Sequence, residues 1–225
     1  MRYALRLSFP DRPGMLGAIA TALGRAQIDI VALDVVERDD GITIDDVCVE
    51  TDLGADRVAA VCEGAGGVVV EALTMVRPAH ERLGDAALAA AVAEGVDDPL
   101  GTLVRGVPGT LGATWAVAVA EGVNGLEVVA ASPLSPPVPA GLRLPFLPLE
   151  RPRRFPQAQW MPAQWRPDPS DSIELAGAPL GGPVSSVITA RINGPRFRPA
   201  ELQRLAQLAR VAVAARAVEK LPAVV

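Results

Sequence analysis

The residue types of Asp11-Arg12-Pro13-Gly14-Met15-Leu16 suit the capture of a small zwitterion, and the segment joins an alternating apolar run to a helical apolar stripe. The simplest use of such a turn is to start a helix. Asp11 can accept from the next amides as a cap, and Pro13 lacks an N–H that would go unpaired in a first turn. The same geometry also allows binding. A helix N-terminus offers unpaired N–H groups and a partial positive charge, which seat a carboxylate or phosphate. Gly14 has no side chain, so a ligand can approach the amides of Gly14, Met15 and Leu16 while Asp11 attracts an ammonium. A positive helix end beside a carboxylate complements an α-amino acid.

Other reactive residues do not assemble. The single histidine, His80, falls in a linker and is expected to be solvent-exposed rather than catalytic. Asp39-Asp40 falls on a hairpin, Asp45-Asp46 points to opposite faces of a strand, and Asp97-Asp98 starts a helix. None gains a third converging ligand, so no metal is expected. No P-loop, nucleophile elbow or Rossmann glycine fingerprint occurs, so no cofactor is expected and the chain reads as a non-enzyme. Two cysteines, Cys48 and Cys62, leave a disulfide open, with free buried thiols in a reducing compartment the preferred reading. Pro108-Gly109-Thr110-Leu111-Gly112-Ala113 echoes residues 13–18, but it precedes a strand pattern and reads as a helix-to-strand turn.

The elements that must position the turn follow from periodicity. Tyr3, Leu5, Leu7 and Phe9 alternate along a strand; Leu16, Ile19, Ala20 and Leu23 fall at i, i+3, i+4 and i+7. Two β-branched runs, 28–37 and 42–51, flank Arg38-Asp39-Asp40-Gly41, a hairpin signal. Val58, Val61, Cys62 and Ala65 form a second helical stripe, Gly66-Gly67 ends it, and residues 68–76 form a fourth strand. The order βαββαβ predicts an α+β, ferredoxin-like sandwich: an antiparallel sheet with both helices on one face.

This order, with D-x-P-G-x-L between the first strand and first helix, resembles the ACT domain, a regulatory amino-acid-binding module. The resemblance covers residues 1–77. It implies an amino acid held between the loop and a strand of a partner ACT domain, hence a homodimer. Asp11, Pro13, Gly14, Met15 and Leu16 match the loop position, and Ile28-Asp29-Ile30 matches the start of the second strand. The family often has Asn-Ile there; Asp29 exchanges an amide that can donate for a carboxylate that cannot.

Residues 78–95 read as an Ala-rich helical connector, and Leu100, Leu103 and Val104 as a further helical turn or two. Strand patterns at 114–119 and 126–132 flank an Asn124-Gly125 turn. Proline is so frequent over 133–169 that neither a helix nor a central strand can persist there. Apolar segments at 172–176 and 184–192 precede a final helix from Pro199. Residues 96–221 resemble a GAF domain, an α/β sensor fold with a central antiparallel sheet. The carrying pieces are 111–117, 175–180 and 187–191, followed by Gly194-Pro195-Arg196-Phe197-Arg198-Pro199-Ala200-Glu201-Leu202. Trp160 and Trp165 with Arg151, Arg153 and Arg154 either form a lid or simply pack the proline-rich stretch on the sheet, the second being preferred.

A net charge of -5 without a basic block argues against a nucleic-acid partner. Met1–Leu7 alternates in polarity, unlike a signal-peptide core, and no apolar run spans a membrane. The expectation is a cytoplasmic, non-catalytic, allosteric sensor that binds an amino acid as a homodimer. The alternative is a dimerisation or protein-interaction module with no ligand.

Overall fold

The computed structural model describes residues 1–75, 84–95, 98–155, 160–166, 168–181 and 185–219. The chain divides into two compact units, Met1–His80 and Glu81–Val225. The expected junctions at 77–78 and 95–96, the C-terminal limit at 221 and His80 involve residues outside those described.

In the first unit, β1 (Arg2–Pro10) alternates so that Tyr3, Leu5, Leu7 and Phe9 are all buried on one face. Helix α1 (Met15–Arg25) lays Ile19 and Leu23 on that face, and α2 (Ala55–Glu63) adds Val58 and Cys62. Each such fully buried aliphatic side chain contributes roughly 1.5–3 kcal/mol. Leu16 and Ala20, expected in the stripe of α1, are exposed. The line facing the sheet runs through Met15, Ile19 and Leu23, and residues 16 and 20 lie about 100° further round the helix. Strands β2 (Asp29–Asp39), β3 (Ile42–Glu50) and β4 (Val69–Met75) complete a four-stranded antiparallel sheet in the order β2-β3-β1-β4. The β2–β3 hairpin turns through Asp40 and Gly41, both at positive φ (48° and 76°), as a type I′ turn requires. Val47 and Val49 lie in the core under the helices with Cys62, so Cys48 falls on the opposite face and the two cysteines do not bridge.

In the second unit, α3 (Asp85–Glu94), α4 (Pro99–Leu111) and α5 (Pro199–Glu219) join a sheet of β5 (Trp115–Gly122), β6 (Gly125–Ala131), β7 (Arg153–Phe155), β8 (Ile173–Pro179) and β9 (Ser185–Ile192). The sheet is antiparallel in the order β6-β5-β9-β8-β7. Helix α3, which the sequence places in a connector, puts Leu88 and Val92 into this unit's core. Helix α4 is longer than one or two turns and runs through Pro108 to Leu111, where Gly112 (φ 59°) closes it and leads into β5. That is the helix-to-strand turn expected of the near-repeat. Alternation along β5 splits the core. Ala116 and Ala118 pack with the helices, whereas Trp115, Val117 and Val119 pack with Leu144, Leu149, Phe155 and Trp165.

The proline-rich stretch thus forms a third layer. Its described residues are irregular as expected, except for the short β7 and a 3-10 turn at Ala163–Trp165. Trp165 meets Trp115 edge-on with ring centroids 5.5 Å apart, and Trp160 meets Trp165 at 6.2 Å. Arg154 pairs with Glu174 at 2.9 Å. Of the two expected roles, packing is the one that Trp160 and Trp165 display, while Arg151, Arg153 and Arg154 are exposed.

Candidate ligand site at the start of the first helix

Gly14 sits at the N-cap of α1 in a left-handed conformation (φ 92°) with no side-chain cap. The amide of Met15 donates to the Arg12 carbonyl (3.3 Å) and that of Ala18 to the Gly14 carbonyl (2.9 Å). The amides of Gly14, Leu16 and Gly17 find no acceptor among the described residues. A Cβ placed on Gly14 or Gly17 would meet nothing within 4 Å, so these two glycines border open space. Of the amides singled out from the sequence, Gly14 and Leu16 are therefore available and Met15 is not.

Asp11 does not cap the helix. Its Oδ1 accepts from the Arg38 guanidinium (2.5 Å) and from the Thr43 hydroxyl (3.1 Å), and its amide donates to the Gly41 carbonyl (2.7 Å). The loop is thereby tied to the β2–β3 hairpin. The hydrogen bond from Arg38 holds the Asp11 carboxyl below its ordinary range, and the same bond raises Arg38. Arg38 and Thr43 are cross-strand partners in the hairpin register, and Phe9 of β1 is the other partner of Thr43. Two residues further along β3 on the same face lies Asp45, between Leu7 and Val35. Asp45 is only 1% exposed, and its Oδ1 has no hydrogen-bond partner among the described residues. Desolvation raises its carboxyl to about 6; the Arg38 charge opposes the rise and the Asp46 charge adds to it. Asp46 lies on the other face, where Arg6 grips it at 2.8 and 2.9 Å.

The remaining sequence-derived site residues are elsewhere in the unit. Ile28 is in the core, Ile30 is half-buried against it, and Asp29 is exposed in register with Glu50. Glu50 in turn opposes Arg2, whereas Ile42 at the other end of β3 opposes Pro10. Eight residue steps at ~3.3 Å separate these rows, so Ile28–Ile30 and the loop of Asp11, Pro13 and Gly14 stand about 26 Å apart at opposite ends of the sheet. One chain does not bring them together.

Neither residue type nor motif marks Arg38, Thr43 and Asp45 as site residues. The signals for them were present: a two-residue turn at Asp40-Gly41 fixes the 38–43 pair, and alternation through Asp45-Asp46 sends one carboxylate beneath the helices. Among the described residues, no group of His, Cys, Asp and Glu is arranged to hold a metal ion, and no helix is long and apolar enough to cross a membrane.

No curated protein matches this chain. Among solved structures, an ACT domain protein from Streptococcus pneumoniae is 11% identical, with a TM-score of 0.27, 33% of this chain covered and 88% of that one. A formyltetrahydrofolate deformylase from Pseudomonas putida KT2440 is 16% identical, with a TM-score of 0.29, 37% of this chain covered and 31% of that one. A protein from Galdieria sulphuraria described as unknown is 12% identical, with a TM-score of 0.30, 93% of this chain covered and 90% of that one. The ACT-domain family model matches residues 3–61, the span from β1 into α2 that carries the loop, the hairpin and Asp45. Residues 3–61 of the first unit thus match the ACT domain, generally a ligand-binding regulatory module.

Proposed function

We propose that the chain is a cytoplasmic, non-catalytic regulatory protein whose ACT domain binds an α-amino acid at the loop of residues 11–16, in a homodimer. The observation that carries the reading is the open N-terminus of α1: the amides of Gly14, Leu16 and Gly17 await an acceptor, with the Asp11 carboxylate in the same loop. A carboxylate on the amides and an ammonium toward Asp11 satisfy both poles of the ligand.

The homodimer reading draws on the sheet. Strand β2 is an edge, and its Val31 and Val35 are 44% and 56% exposed. Two copies of β2 paired antiparallel about a two-fold axis would set the start of one strand beside the end of the other. That arrangement carries Ile28-Asp29-Ile30 of one copy toward Arg38 and the loop of its partner. For the second unit we propose a GAF-like sensor or dimerisation role, supported by its antiparallel sheet with helices on one face. Neither cysteine nor histidine occurs beyond His80, so a thiol-linked chromophore or a histidine-ligated haem does not suit it.

Titration calorimetry and thermal shift of the full chain with each of the twenty amino acids test the reading. We expect heat and stabilisation with at least one of them. We also expect Gly14→Val to abolish both, because a β-branched side chain at positive φ strains the turn and covers the amides. A second reading, an interaction module without ligand, is favoured by the existing Arg38–Asp11 pair, which already occupies one oxygen of the carboxylate. A dimer inert to every amino acid would decide for it.

A further inference from the structure

Asp11 cannot offer Oδ1 to a ligand while Arg38 and Thr43 hold it. Arg38 lies on the edge strand with its side chain 61% exposed, and its staggered torsions give it several ways to swing. The other carboxylate acting on it is Asp45, which is buried on the same face with Oδ1 unpartnered. A buried carboxylate that ionises without a partner is costly, and one that acquires a guanidinium is not. A cation with two anionic neighbours, one paired and one unpaired, has two places to rest.

We propose that Arg38 has two seats, on Asp11 in the free protein and on Asp45 when a ligand ammonium takes Asp11, so that Asp45 is the positioning residue that makes Asp11 available. The ligand-bound half of the proposal rests on the amino-acid reading above; the existence of the second seat does not. The charged groups acting on Asp45 are Arg38 from β2 and Asp46 from its own strand. Its cross-strand neighbours Leu7 and Val35 are uncharged, and the buried face of α1 presents Ile19 and Leu23. With Arg38 on Asp11, Asp45 keeps its proton up to about pH 6. Arrival of the guanidinium lowers that value, so ligand binding near pH 6 releases a proton and weakens as the solution becomes more acidic.

The second seat is tested without ligand, by following the Asp45 carboxyl carbon through a pH titration by NMR in the full-length protein. Asp11→Asn removes the charge that retains Arg38. The midpoint of Asp45 is expected to fall by about one unit or more in this variant. Adding Arg38→Gln should return it to the wild-type value or above. Asp11→Ser serves if the Asn variant does not fold. An Asp45 midpoint unmoved by loss of Asp11 would overturn the proposal, because Arg38 would then have no second seat. The ligand half is read separately at pH 7.5 with any amino acid that stabilises the wild type: Asp45→Asn should weaken it about tenfold, and full-strength binding would overturn that half. If no amino acid binds the wild type, the amino-acid reading and the ligand half fail together, while the titration still decides whether Arg38 moves.

Discussion

Asp45 is the residue whose titration should be felt by the whole first unit. Folded, its carboxyl titrates at about 6; unfolded, near 3.8. Between those values the folded form holds more protons, so stability falls as pH rises from about 4 to about 6 and stays lower above. Asp45→Asn is expected to remove this slope and to raise stability at pH 7 by on the order of 1–3 kcal/mol. Cys62 supplies the readout. Its thiol is buried in the same core and pushed up to about 11 by desolvation, so it is unreactive until the unit opens. Site-resolved capture of Cys62 by a pyridyl disulfide, which acid activates toward thiols, across a urea series at pH 4.5 and pH 7 should show the variant opening later at pH 7. Equal midpoints at both pH values in wild type and variant would contradict the raised carboxyl.

At the scale of elements, the second unit is fastened where α4, β9 and α5 converge. Arg191 of β9 forms a buried ion pair with Glu201 of α5 and donates to the carbonyls of Leu111 and Gly112 at the end of α4. Its guanidinium also lies 4.0 Å from the ring centroid of Phe197. Glu201 accepts in turn from the Arg198 amide (2.8 Å), the reach-back half of a capping box at the start of α5. Breaking such a pair strands a buried charge. Glu201→Ala should therefore destabilise this unit by about 3–5 kcal/mol, and Arg191→Met with Glu201→Leu by clearly less. All three tryptophans lie here, so the urea midpoint of tryptophan emission measures it. A double variant as unstable as Glu201→Ala would show that the carbonyl contacts of Arg191, rather than the ion pair, do the fastening.

At the scale of the whole molecule, the ligand reading stands or falls with the oligomer. Light scattering at micromolar concentration is expected to give a dimer mass. Val35→Lys, which places a charge on the exposed edge of β2, should shift it to monomer without unfolding the sheet. A monomeric wild type would remove the shared site, because Ile28–Ile30 and the loop stand at opposite ends of one sheet.

Local periodicity and turn chemistry by themselves determined much of this protein. The alternation of Tyr3 to Phe9 and the Asp40-Gly41 hairpin specify βαββαβ, because a period of two or 3.6 has one way to bury its apolar face, although α2 ends at Glu63 with Gly64 as its cap, ahead of the Gly66-Gly67 expected to stop it. The same holds for Phe197-Arg198-Pro199-Ala200-Glu201, which starts α5 as read. The loop was legible as a candidate because its glycine and its carboxylate are adjacent in the chain. Partnership across strands was not legible in that way. Asp11 has a cap's residue type, yet its carboxylate goes to Arg38 and Thr43, because the hairpin register brings a guanidinium and a hydroxyl nearer than the helix amides. The burial of Asp45 depends on which face of β3 the helices cover, and the proline-rich stretch becomes a layer through the contacts of Leu144, Leu149, Phe155 and Trp165 with Trp115, Val117 and Val119 of β5. Tertiary structure decided these points, since hydrogen bonds, desolvation and ring contacts depend on distance through space and not along the chain.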